Sequence, residues 1–200
     1  MQNNNIPFLT NFNIFNNKYF FVLCLNIKKR TNQNYISNTL FLGYKYNYLI
    51  LNINILIKTL KQILILINNI TSNNGNILFL YTNNKIINYL LQKNSIYKST
   101  FYLNNFIEKQ QNVLTYLDKF PDLVISFDYQ TNAIFLNKIS TFNTPIICIT
   151  DLLNTNIITK QMYYLLINNK SLYINIILIY ILFNSIKNNK KTLGTQFLEN

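Results

Sequence analysis

Residues 120–151 read FPDLVISFDYQTNAIFLNKISTFNTPIICITD. Two unbroken apolar runs, Leu123–Phe127 and Ile146–Ile149, lie within it. Runs of that length without alternation are the signature of strands covered on both faces. Each run closely follows a proline, Pro121 or Pro145, and each ends near an aspartate, Asp128 or Asp151. Between them Asn132–Phe142 has the length and pattern of a helix. A strand, a helix and a strand joined by short connections make a right-handed crossover between parallel strands. The window also holds three of the six acidic residues (Asp122, Asp128, Asp151, with Asp118 just upstream), the only alanine, Ala133, and two of the three prolines.

Outside this window the chain is written almost entirely in Asn, Ile, Leu, Lys, Tyr and Phe. It has three glycines, one arginine (Arg30), and no tryptophan or histidine. Those favoured residues have AT-rich codons, which points to an extremely AT-rich gene of the organellar kind. Asparagine is then the default polar residue, and its abundance is no signal of a low-complexity segment.

Two hundred residues, half of them hydrophobic, suit one domain with a sizeable core. Eighteen basic against six acidic residues give a net charge of +12. Such a balance favours an anionic partner, nucleic acid ahead of a membrane surface. Coding bias enriches lysine, but it does not explain the scarcity of acids, whose codons are also A-rich. Cys24 and Cys148 have neither metal nor redox spacing, and without histidine a zinc site lacks material. Cys148 reads as a buried, inert thiol. The apolar run Tyr19–Leu25 is short and no small-residue cleavage site follows it, so no secretory signal is expected. Leu172–Phe183 falls short of the roughly 20 residues of a membrane span. Tyr48–Ile70 is long enough, but Asn52, Asn54, Lys58, Lys61 and Gln62 interrupt it, and both segments are expected to be buried helices of one domain.

Further from the window, the strand Tyr48–Leu51 is followed by Ile53, Leu56, Ile57, Leu60, Ile63, Leu64 and Ile67 at helical spacing, to about Ile70. TSNNGN stops that helix, with Gly75 available for a left-handed turn. Ile77–Tyr81 is the first core strand. Thr82 or Asn83 caps a helix to about Lys93. The strand Thr100–Leu103, a helix over Asn105–Leu117, the window itself, a strand Tyr163–Ile167 and a helix Lys170–Ile186 complete the pattern, before a basic tail. The fold class expected is α/β: a three-layer, flavodoxin-like sandwich with a parallel sheet of about five strands.

That fold usually places a ligand at the carboxyl ends of its strands. Here Tyr81-Thr82-Asn83-Asn84-Lys85 contains no glycine to let backbone amides approach a phosphate, and neither GxGxxG nor a Walker lysine motif occurs. Asp128 and Asp151 occupy strand-end positions typical of catalytic carboxylates. With no histidine, nucleophile or metal cluster to join them, the turn-capping role is favoured. No cofactor is expected. Lys28, Lys29, Arg30, Lys45, Lys85, Lys93, Lys98, Lys187, Lys190 and Lys191 lie in or beside predicted loops and termini. They are the candidate contacts to RNA phosphates.

Taken together, the pieces resemble the bacterial-type small-subunit ribosomal protein S two family. Its signature runs Pro-Asp, apolar strand, Asp, short loop, Ala-Ile, helix, Ile-Pro, apolar strand, Asp. Pro121-Asp122, Asp128, Ala133-Ile134, Thr144-Pro145 and Asp151 follow it in order and spacing. GYKYNYLILNINIL from Gly43 is similar to the family's entry to its first helix, with Asn52 in register. GNILFLYTNNK (Gly75–Lys85) resembles its Gly-Lys-Ile-Leu-Phe-Val-Gly-Thr-Lys strand and turn, YLNNFIEK (Tyr102–Lys109) its Trp-Leu-Gly-Gly block, and Asn168–Leu172 its Asn-Asp-Asp-Ala-Ile run. The likeness covers about residues 34–187. Tyr81 stands where the family has a turn glycine, Asn104 and Asn105 where it has paired glycines, and the early histidines are missing.

The resemblance implies a structural constituent of the small ribosomal subunit, not an enzyme. Its partners would be small-subunit rRNA and neighbouring ribosomal proteins, with no small-molecule substrate and no membrane span. With the coding bias, the expected place is an organellar ribosome, mitochondrial ahead of plastid-type. Between Leu103 and Pro121 there is room for one helix, so the family's projecting helical hairpin is expected to be lacking. The implied layout is an N-terminal basic and aromatic extension (1–42), an α/β core (43–187) and a basic C-terminal tail (188–200). Two other classes stay open: an organellar membrane-associated subunit with short hydrophobic helices, and a flavodoxin-like enzyme domain without recognisable motifs.

Overall fold

The two runs of the opening window pair side by side in parallel. Leu123–Ser126 and Ile146–Thr150 are joined through a helix, Tyr129–Ser140, with Val124 opposite Ile146 and Ile125 opposite Ile147. The structure, a computed structural model, describes residues 26–28, 41–45, 48–95, 100–103, 120–150 and 162–196. In chain order the elements are β1 (Asn26–Lys28), β2 (Phe41–Lys45), β3 (Tyr48–Leu51), α1 (Ile53–Ser72), β4 (Ile77–Leu80), α2 (Lys85–Asn94), β5 (Thr100–Leu103), β6 (Leu123–Ser126), α3 (Tyr129–Ser140), β7 (Ile146–Thr150), β8 (Met162–Leu166) and α4 (Leu172–Gln196).

Five strands form one parallel sheet in the order β5-β4-β6-β7-β8. Chain order reverses between β4 and β6, the arrangement of a flavodoxin-like fold. Every residue of β4, β6 and β7 is buried, as unbroken apolar strands require when both faces are covered. Alternate side chains serve alternate layers. Ile77, Phe79, Leu123, Ile125, Ile147, Ile149 and Leu165 pack with α1, α2 and α4. Leu78, Leu80, Val124, Ile146, Cys148 and Met162 pack with Tyr129, Phe135, Leu136 and Ile139 of α3. The β4-α2-β5 and β6-α3-β7 crossovers run in opposite directions along the sheet, and right-handedness therefore puts α2 and α3 on opposite faces.

On the three-helix face α4 lies between α1 and α2. Phe183 of α4 stacks on Phe79 of β4, with ring centroids 4.7 Å apart. Leu56, Leu60, Ile63, Leu64 and Ile67 form the buried stripe of α1, each worth about 1.5–3 kcal/mol when removed from water.

A separate antiparallel sheet, β1-β3-β2, precedes α1. Gly43 lies inside β2, at a register shift. The expected boundary at residues 42 and 43 thus falls within a strand.

Local details correct the expectations at several ends. Asn84, rather than Thr82 or Asn83, caps α2, its Oδ1 accepting from the N–H of Ile86 at 3.0 Å. At the end of α1 the left-handed residue is Asn74 (φ 56°), not Gly75. Asn74 N–H donates to Thr71 O at 3.2 Å and Gly75 N–H to Ile70 O at 2.8 Å, the paired bonds of a Schellman cap. Helix α3 begins at Tyr129, three residues before the expected start. Helix α4 runs on to Gln196, through most of the segment expected to be a tail. The expected helix at 105–117, the absence of a hairpin there, Asp118 and Asp151 lie outside the described residues.

Candidate nucleic-acid interface

The crevice where a fold of this order would hold a small ligand lies at the carboxyl ends of β4 and β6. It is laced by side-chain amides of the chain itself. Asn132 Nδ2 donates to Tyr81 O at 2.8 Å, beyond β4, and to Asp128 O at 2.9 Å, beyond β6. Asn88 holds the β4-α2 loop from below: its Nδ2 donates to Thr82 O at 2.6 Å and its Oδ1 accepts from Thr82 N–H at 2.8 Å. Asn169 Nδ2 donates to Phe127 O, and Asn175 Nδ2 to Asn169 O at 2.7 Å. Strand-end carbonyls that a ligand would address are therefore engaged within the chain.

Asp128 takes part in the same bracing. Its backbone carbonyl accepts from Ser126 Oγ at 2.9 Å, and its carboxylate faces Asn83 Nδ2 at 3.4 Å across the two loops. That is a loop-fastening role. Asp122, at the amino ends of the strands, accepts from the N–H of Asn76 at 2.7 Å. Among the described residues no three His, Cys, Asp or Glu side chains gather as a metal set. Cys148 is fully buried; burial first, and Asp128 second, push its thiol up to about 12.

The expected phosphate contacts divide. Lys85 and Lys93 are exposed, at the two ends of α2. Lys187 is half-buried on α4 and engaged by a neighbour. Lys28 and Lys45 end β1 and β2, where both pair in register with Tyr48 of β3. The structure so brings these two lysine positions into one row about a tyrosine. Lys190 and Lys191 fall on the helical backbone of α4. Lys29, Arg30 and Lys98 lie outside the described residues.

Further exposed basic and aromatic side chains were not singled out from the sequence. Lys58 and Lys61 are exposed on α1, and from sequence they count only as interruptions of an apolar segment. Tyr89 on α2 is 61% exposed, and Tyr173 and Tyr180 on α4 are 56% and 58% exposed. The signal was present for Tyr89: Lys85, Tyr89 and Lys93 are spaced by four residues, which puts them on one helical face. Across α1, α2 and α4 there is no aspartate or glutamate. Compared with known proteins, the chain matches no family model and no curated protein.

Proposed function

We propose that this chain is a structural component of the small subunit of an organellar ribosome, most simply the mitochondrial one, which docks on small-subunit rRNA and neighbouring ribosomal proteins and catalyses no reaction. The observation that carries this reading is the three-helix layer of α1, α2 and α4. It bears Lys58, Lys61, Lys85 and Lys93 on its exposed side and no acidic residue. Exposed ammonium groups on one layer without carboxylates bind a polyanion by releasing its counterions. The braced crevice between β4 and β6 supports a scaffold rather than a small-molecule site. The ordered motif of residues 121–151 supports the ribosomal assignment in particular.

Sedimentation tests it. In a magnesium-containing sucrose gradient of mitochondrial lysate at moderate salt, the chain is expected to travel with the small subunit. Recovery only at the top of the gradient overturns the proposal. One observation favours a second reading, a membrane-associated subunit: by length and composition α1, Ile53–Ser72, is long and apolar enough to cross a membrane. Against it, the buried residues of α1 form one stripe packed on the sheet, with Lys58 and Lys61 outside. Retention in the pellet after carbonate extraction would favour the membrane reading.

A further inference from the structure

We infer that the outer face of α2 is a contact for single-stranded RNA, in which Tyr89 stacks on an unpaired base while Lys85 and Lys93 hold phosphates on either side. This rests on the ribonucleoprotein reading and gives it a place and a mode. Four-residue steps along an α-helix rise about 6 Å, so the two lysines are spaced about 12 Å along the axis with the tyrosine midway. A strand covers that span in three or four stacked nucleotides at about 3.4 Å each.

The composition of the face is not explained by the stability of the helix. Lys85 is the first residue of α2, with no acidic residue in the first turn. The positive end of the helix dipole disfavours a cation there. Tyr89 leaves a large ring mostly in water although α2 buries only Ile87 and Leu91. Neither lysine is ion-paired among the described residues. Exposed Ile86 lies beside the row, and α4, packed against α2, adds Tyr173 and Tyr180 on its own outer side.

Charge selects the occupant. A row of cation, aromatic ring and cation, on a layer without carboxylates, complements a phosphate chain with π-faced bases. A bilayer would instead be met by a continuous apolar face, whereas the exposed isoleucines of this layer, Ile65, Ile86 and Ile176 at 45%, 51% and 37% exposure, share it with the exposed lysines Lys58, Lys61, Lys85 and Lys93.

The test uses the purified full chain, with fluorescence anisotropy of a labelled oligouridylate strand and of a duplex RNA of equal length, across a salt series. The single strand is expected to bind more tightly. Tyr89→Ala should weaken that binding roughly 5- to 150-fold with the salt slope unchanged, and Tyr89→Phe should preserve it. Lys85→Gln with Lys93→Gln should reduce the log–log salt slope by about 1.4. Ultraviolet crosslinking of the unmutated chain should place the adduct within residues 85–93, which keeps the outcome readable if a variant fails to fold. Equal affinity of Tyr89→Ala, an unchanged slope in the double variant, an adduct mapping elsewhere, or Tyr89-dependent binding to anionic vesicles in place of RNA would each overturn the inference. Sedimentation away from the small subunit with intact oligouridylate binding would sink the ribosomal assignment alone.

Discussion

Asp122 and Asn76 hold each other at both backbone and side chain: the Asp122 carboxylate accepts the Asn76 N–H at 2.7 Å, and the Asp122 N–H donates to Asn76 O at 2.9 Å. Asn76 immediately precedes β4 and Asp122 immediately precedes β6, so the pair sets where two neighbouring parallel strands begin. An aspartate that stands out in an acid-poor sequence is thus spent on register. Asp122→Ala is expected to lower stability by about 1–2 kcal/mol, toward the lower end for a bond to a charged group because the site is exposed. Urea unfolding followed by circular dichroism measures it, and an unchanged midpoint would remove Asp122 from the fastening of the sheet.

Asn132 should matter more. It is 6% exposed, and its single amide serves the carbonyls of Tyr81 and Asp128. Asn132→Ala leaves both without that donor and should cost about 2–3 kcal/mol. Asn132→Asp should be at least as damaging, because a carboxylate would face two carbonyl oxygens. Thermal melts of both variants decide the matter, and a near-native melt for either contradicts the bracing role.

Gly75 and Asn74 divide one turn between them. A Cβ built on Gly75 would lie 2.6 Å from Ile70 Cγ2, 3.0 Å from Ile70 O and 3.2 Å from Asp122 Oδ2. Gly75→Ala should therefore destabilise measurably through crowding. Asn74→Gly should be neutral or slightly stabilising, since its φ of 56° favours glycine. Equal tolerance of both substitutions in a denaturant series would refute this division.

Alkaline pH should weaken the fold. Burial, helped by nearby ionisable groups, pushes Cys148, Tyr102 and Tyr164 each up to about 12. In the unfolded chain a thiol ionises at about 8.5 and a phenol at about 10. Above about pH 8.5 the unfolded chain holds fewer protons than the native one, so stability falls with rising pH toward about 12. The unfolding midpoint should decline across that window, and Cys148 should resist iodoacetamide until the chain unfolds. Fast alkylation of Cys148 in the native protein would contradict its burial.

The sheet was legible because Ile77–Leu80, Leu123–Ser126 and Ile146–Thr150 are unbroken apolar runs, which coding bias alone does not punctuate so regularly. Helix ends were less legible, because asparagine here is both the filler and the capping residue. Thr82, Asn83 and Asn84 all suit a cap, and only the geometry selects Asn84. Asn188, Asn189, Lys190 and Lys191 read as a tail, yet none is a strong helix breaker, and α4 continues through them. The exposed side of the helical layer was half legible. Lys85 and Lys93 were marked by their place near loops, whereas Lys58 and Lys61 were hidden within an apolar pattern, and Tyr173 and Tyr180 gave no sign of facing outward rather than inward.

The brace beyond β4 and β6 is built mainly from Asn88, Asn132, Asn169 and Asn175. Primary amides carry no ionisable proton and no net charge, so these fastenings should respond little to ionic strength. The lysines of the outer helices should respond strongly once a polyanion is bound. On the proposed function the molecule would thereby separate two sensitivities that are entangled in many basic proteins: added salt would strip a bound polyanion away while the strand ends stay tied.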